Sequence, residues 1–206
     1  MILTVTANPS VDRTVELTGR LRRGEVLRAA TVRSQPGGKG INVARAVALA
    51  GLDTLAVLPA RTGDLLLAQL DEVGLAYRAV PADGDVRMNI TVAEPDGTTT
   101  KINEPGAALS AAALAQLTDQ VLVAARDADW VALCGSVPPG MPLNWYGTIV
   151  SALAEHRIPV AVDTSGSALA EAAAAGPALL KPNADELASL TGADGAAMEA
   201  AAAAGD

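Results

Sequence analysis

Apolar residues recur along this chain in two rhythms. Residues 2–6, 54–58, 77–80, 130–134, 160–163 and 178–180 are short runs bounded by turn residues, the pattern of buried strands. Between them, residues 41–50, 64–73, 111–126, 143–155, 167–175 and 185–191 read as helices. Ser110 is set to cap the helix at 111–126, and Gly51, Gly74 and Gly176-Pro177 close three others. From residue 110 onward strand and helix alternate strictly. Such units predict an α/β fold with a mostly parallel sheet covered by helices on both faces.

Other segments keep a period of two. In residues 11–17, Val11, Arg13, Val15 and Leu17 oppose Asp12, Thr14 and Glu16. Residues 26–33 alternate as well. In residues 86–94, Met88, Ile90 and Val92 oppose Arg87, Asn89 and Thr91, and the Asp96-Gly97 turn leads into 98–103 as a hairpin. These half-exposed strands do not fit a sheet buried on both faces. They predict a small β-sheet lid, with strands near 11–34 and 86–103, inserted in a single domain spanning 1–206. A lid of two to four strands needs one face covered, by substrate or by a second subunit. A homodimer through the lid is therefore an expectation.

Composition narrows the function. The chain has 206 residues, no Phe, and a formal net charge of −8. That balance argues against nucleic acid or an anionic membrane as a bulk partner, so any bound anion must be met by locally placed basic residues. No apolar run has the length of a membrane span, and no basic leader opens the chain. The single cysteine, Cys134, excludes an internal disulfide and reads as a buried small residue. Together these features predict a cytoplasmic protein.

The candidate chemistry centres on Pro36-Gly37-Gly38-Lys39-Gly40-Ile41-Asn42-Val43-Ala44. Glycines let the backbone take positive φ and approach a ligand closely. The helix that follows presents unpaired N–H groups and the positive end of its dipole. Lys39 adds a charge and Asn42 a donor and an acceptor, so the corner suits an anionic small molecule. It is neither a Walker A loop nor a dinucleotide fingerprint, and an ordinary glycine turn before a helix accounts for it equally well. Polar clusters also follow four strands: Asn8 to Asp12, Gly135-Ser136-Val137-Pro138-Pro139-Gly140, Asp163-Thr164-Ser165-Gly166, and Lys181-Pro182-Asn183-Ala184-Asp185-Glu186. In an open parallel sheet, ligands bind beyond the carboxyl ends of the strands. A triad of Ser136, His156 and Asp163 fails, because His156 leads into a strand and so lies at the opposite edge.

Taken jointly and in this order, these motifs resemble the PfkB (ribokinase-like) carbohydrate kinases. Within that family the chain is similar to the sugar-phosphate branch, closest to bacterial 1-phosphofructokinases, with tagatose-6-phosphate kinases and 6-phosphofructokinases as alternatives. The resemblance implies a ribokinase-like three-layer sandwich and ATP-dependent, Mg2+-dependent phosphorylation of a sugar phosphate. Position by position, it implies that Asp12 accepts hydrogen bonds from sugar hydroxyls and that Gly38 and Asn42 hold the sugar. Lys39, Arg87 and Lys101 would meet the substrate phosphate, and Ser136 would add a hydroxyl. Lys181 would reach the transferring phosphoryl group. Asn183 and Glu186 would organise Mg2+ through water. Each has a plain alternative: Asp12 capping its own turn, Arg87 and Lys101 as solvated strand charges, Asn183-x-x-Glu186 as a helix capping box.

The family's proton acceptor is an aspartate in a Gly-Ala-Gly-Asp motif, which is absent from these 206 residues. Gly205-Asp206 is read as a helix terminus. The chain is thus expected to be C-terminally incomplete, with its catalytic base beyond Asp206, and inactive alone. A non-catalytic sugar-phosphate-binding remnant is the alternative of another class.

Overall fold

The computed structural model describes residues 1–192. The reading of Gly205-Asp206 lies outside the described residues. In chain order the elements are β1 (Ile2–Thr6), β2 (Ser10–Leu17), β3 (Ala29–Gly37), α1 (Lys39–Leu49), β4 (Thr54–Ala60), α2 (Leu65–Glu72), β5 (Tyr77–Pro81), β6 (Arg87–Ala93) and β7 (Thr99–Asn103). They continue with α3 (Ala111–Ala125), β8 (Trp130–Cys134), α4 (Trp145–Ala154), β9 (Val160–Asp163), α5 (Gly166–Ala174), β10 (Leu179–Leu180) and α6 (Ala184–Thr191).

Six strands form a sheet in the order β10-β9-β8-β1-β4-β5, and every neighbouring pair is parallel. Alternate side chains leave opposite faces of each strand. Leu3, Val5, Val131, Leu133, Val160 and Val162 pack against Leu117 and Val121 of α3 and Tyr146, Ile149 and Leu153 of α4. Ala56 and Leu58 pack the other way, against Ile41 and Ala44 of α1 and Leu66 and Leu70 of α2. Helices therefore cover both faces, which is why the strands read as continuous apolar runs. Ser110 caps α3 as expected, accepting from the Ala113 N–H at 3.2 Å. Among the described residues no helix is long and apolar enough to cross a membrane.

The second sheet is smaller, in the order β3-β2-β6-β7. β2 runs antiparallel to β3 and parallel to β6, and β6 and β7 form the hairpin around Asp96-Gly97. The largest departure from the sequence pattern is at β3. The segment expected at 26–33 begins only at Ala29 and runs on to Gly37, because Gly37 pairs with Ser10 at the root of β2. Val26 is 95% exposed. β3 is an edge strand exposed along residues 29–35 rather than half-buried, so no packing imposes a period on its sequence. Pro36 is tolerated there because an edge strand has one side free of ladder bonds.

Candidate functional site

The root of the small sheet meets the carboxyl rim of the large one at the glycine loop. Gly38 is the N-cap of α1, with φ +110°, a backbone conformation that favours glycine. A Cβ there would lie 2.7 Å from Thr6 Cγ2, at the end of β1. A Cβ on Gly40 would sit 2.7 Å from the Val5 carbonyl oxygen. The two glycines thus let α1 start directly against the end of β1. Gly37 serves the lid instead: a Cβ there would strike the Asp12 carboxylate.

Asp12 is held from two sides. Its Oδ1 accepts from Ser10 Oγ at 2.8 Å and from Asn89 Nδ2 at 3.0 Å. Asn89 is its direct partner across β2 and β6. Two residues earlier on β6, Arg87 donates Nη1 to the Glu104 carbonyl at 3.2 Å and Nη2 to the Asn8 carbonyl at 3.1 Å. Burial lowers the Arg87 pKa and the Asp12 charge opposes the shift; a guanidinium remains protonated regardless. Its Nε is buried without a partner.

Asn8 continues the path. Its Nδ2 donates to the Pro105 carbonyl at 3.0 Å and to Ser136 Oγ at 3.2 Å. The loop carrying Ser136 is fixed from below by Tyr146, whose hydroxyl reaches the carbonyls of Cys134 and Gly135 at 3.0 and 3.1 Å. Burial pushes the Tyr146 pKa up, with the Cys134 thiol adding to the shift. Cys134 is itself buried, as its sequence suggested. Beside this loop, Lys39 Nζ donates to Asp163 Oδ1 at 2.7 Å, and Lys181 Nζ lies 3.4 Å from Oδ2 of the same carboxylate.

The structure therefore places Asp12, Gly38, Lys39, Arg87, Ser136 and Lys181 along a single rim in separate groups of contacts: Asp12 with Ser10 and Asn89, Arg87 and Ser136 with Asn8, and Lys39 and Lys181 with Asp163. Asn42 stands in the first turn of α1 with an exposed side chain. The three expected phosphate cations do not stand together. Lys39 pairs with Asp163 beside Lys181, Arg87 lies against Asn8, and Lys101 is exposed on β7, opposite Thr91. Asn183 and Glu186 form a capping box: Glu186 N–H donates to Asn183 Oδ1 and Asn183 N–H donates to Glu186 Oε2, both at 2.8 Å. The helix reading of that motif holds. His156 precedes β9 and Asp163 ends it, so the two lie at opposite ends of the strand. Asn8, Ser10, Asn89 and Asp163 also take part in these contacts; Asn8, Ser10 and Asp163 fall in the polar clusters at the strand ends, whereas Asn89 lies outside them.

Against this geometry, the sequence matches the profile described as pfkB family carbohydrate kinase over residues 5–206. The chain belongs to this family. It is 37% identical to a 1-phosphofructokinase of Xanthomonas campestris, over 97% of this chain and 66% of that protein. It is 34% identical to the ATP-dependent 6-phosphofructokinase isozyme 2 of Mycobacterium tuberculosis, over 94% of this chain and 57% of that protein. Among solved structures, phosphofructokinase-2 from Escherichia coli in complex with fructose-6-phosphate superposes with a TM-score of 0.86 at 35% identity, covering 93% of this chain and 64% of that one. The chain thus spans less than two thirds of the length of these relatives.

Proposed function

We propose that this chain builds the sugar-phosphate site and the first nucleotide contacts of an ATP-dependent kinase. In this reading the kinase converts fructose 1-phosphate to fructose 1,6-bisphosphate. The observation that carries it is that three groups of polar contacts lie along one rim: Asn89 with Asp12, Arg87 and Ser136 with Asn8, and Lys39 and Lys181 with Asp163. Phosphoryl transfer needs positioning and charge neutralisation more than covalent chemistry. Asp12 accepts from sugar hydroxyls, while the Gly38 backbone and Asn42 hold the sugar. Arg87, half-buried, takes the phosphate already on the substrate. Lys101 adds a cation from the lid, and Ser136 a hydroxyl. Lys39 and Lys181 neutralise phosphate oxygens near Asp163.

ATP and Mg2+ fit the remaining residues. The capping box uses one carboxylate oxygen of Glu186 and leaves Oε1 without a bond among the described residues. One free carboxylate oxygen would suit an ion that keeps several waters and takes few ligands from the protein. Magnesium, when bound, would neutralise charge on the phosphoryl group being transferred. Gly-Ala-Gly-Asp does not occur in these 206 residues, so none of them is given the proton-accepting role in this reading. Val15, Val32 and Val92 share one face of the lid, and Val32 is 45% exposed; this supports a lid-to-lid homodimer, measurable by size-exclusion mass. A free thiol and no membrane-crossing helix among the described residues are consistent with the cytoplasm.

Calorimetric titration with fructose 1-phosphate, fructose 6-phosphate and ATP with Mg2+ tests the reading. Saturable binding of fructose 1-phosphate, tighter than of fructose 6-phosphate, is expected. The reverse order favours a 6-phosphofructokinase, in line with the isozyme 2 relatives. Sugar-phosphate binding with none of the nucleotide favours a non-catalytic remnant. No binding of any of the three overturns the proposal.

A further inference from the structure

Asp64 is the one acidic side chain that is buried among the described residues, at 6% exposure. It uses its two oxygens on the backbones of two different segments. Oδ1 accepts from the Leu66 N–H at 2.9 Å and caps α2. Oδ2 accepts from the Val86 N–H at 3.0 Å. A cap needs only the first of these bonds, and serine or asparagine would make it as well. The second bond requires a second acceptor on the same short side chain, which a carboxylate supplies.

Val86 stands immediately before Arg87, the first residue of β6. Its side chain packs on the cluster formed by Leu66 and Leu70 of α2 and Val11 of β2. The first rung between β2 and β6 pairs Ser10 with Arg87. The root of the lid is therefore seated on α2, and the Asp64 carboxylate is the polar bond that fixes it there. Arg61 and Asp85 tie the same two loops at 2.6 Å, but both are more than half exposed and such a pair holds little.

We propose that Asp64 is a positioning residue that acts through Arg87, by holding the start of β6 against the start of α2. The inference deepens the sugar-phosphate reading and rests on the phosphate role given there to Arg87. Asp64 itself touches no ligand. Without its second oxygen, the part-buried Val86 N–H loses its acceptor and the start of β6 is free to shift. Arg87 grips the Asn8 and Glu104 carbonyls from that position. A displacement of about 1 Å is enough to spoil an oriented contact.

The test is a double-mutant cycle, read by calorimetric titration of fructose 1-phosphate and fructose 6-phosphate into the 206-residue chain. Asp64→Ser keeps the cap and removes the bond to Val86. It is expected to weaken hexose phosphate binding about tenfold, the scale of one lost hydrogen bond to a charged group. Arg87→Ala should weaken binding at least as much. In the Arg87→Ala chain, Asp64→Ser should then add less than about twofold, because the residue it acts through is gone. A merely structural role predicts the same loss in both backgrounds. Asp64→Asn, closer in size and with one acceptor oxygen for the cap, must give the same non-additivity if Asp64→Ser does not fold. Additive losses, or no loss from Asp64→Ser where Arg87→Ala weakens binding, overturn the role of Asp64 and leave the sugar-phosphate reading standing. If the unmodified chain binds neither hexose phosphate, or Arg87→Ala binds as well as the unmodified chain, that reading fails and the role of Asp64 fails with it.

Discussion

Lys39 and Asp163 form an ion pair at 2.7 Å although they stand 124 residues apart. The pair ties the first residue of α1 to the last residue of β9, on the rim where the sheet ends. Lys39 is about half exposed, but the Asp163 carboxylate is only 18% exposed and has Lys181 as a second partner. Losing one exposed partner costs little, about 1 kcal/mol at most. Losing the shared carboxylate leaves two cations facing each other. Asp163→Asn should therefore destabilise more than Lys39→Met in urea unfolding. The difference should shrink in about 1 M salt, where such charges are screened. Equal effects at low and high salt would count against an electrostatic origin.

Gly37 and Gly40 are three residues apart and should fail differently. A Cβ on Gly40 meets the Val5 carbonyl, which is backbone and cannot move aside. Gly40→Ala is expected to cost roughly 1–3 kcal/mol of stability, the usual range for overpacking. At Gly37 the obstacle is the Asp12 side chain. Gly37→Ala should leave the urea midpoint nearly unchanged and abolish sugar-phosphate binding. Parallel denaturation and titration of the two variants separate these outcomes.

The strand ends were legible because a parallel sheet sends every carboxyl end to one rim, so Asp163 and Lys181 could be placed there from the rhythm alone. Asn183 and Glu186 were legible as a capping box from spacing. Asn89 was not, since a polar residue on an alternating strand reads as a solvated face until its partner on another strand is known. Asn8 meets Pro105, 97 residues later, and Lys39 meets Asp163; pairings at such separations leave no periodic trace. The start of β3 departs from its sequence pattern for the opposite reason. Val26 and Leu27 look like strand residues, yet the pairing with β2 begins at Ala29.

Mutation can separate the capping box of Asn183 and Glu186 from the magnesium role proposed for them. Asn183→Ala removes the cap and should cost about 0.5–2 kcal/mol. Glu186→Gln keeps the capping box, because glutamine serves at that position as well. Its stability should stay within about 0.5 kcal/mol of the unmodified chain. Its carboxylate is gone, however, so the thermal shift produced by ATP with Mg2+ should fall. If Glu186→Gln retains the full nucleotide shift, the acidic group has no part in holding the metal.

Cys134 sets a limit on alkaline stability. Burial pushes its thiol from 9.0 up to about 12, and the nearby Asp163 charge adds to the effect. The unfolded thiol loses its proton near pH 9, whereas the folded one holds it to about pH 12. This stabilisation is complete below pH 9 and is lost as the pH rises from there toward 12. Each pKa unit corresponds to about 1.4 kcal/mol, so unfolding free energy should fall by about 1–2 kcal/mol between about pH 8 and pH 10. Cys134→Ala lowers stability overall by removing packed volume, but its decline across that window should be shallower. Tyr146, also shifted upward by burial, accounts for the decline that persists. Matching slopes for the variant and the unmodified chain would mean that Cys134 does not contribute to the pH dependence.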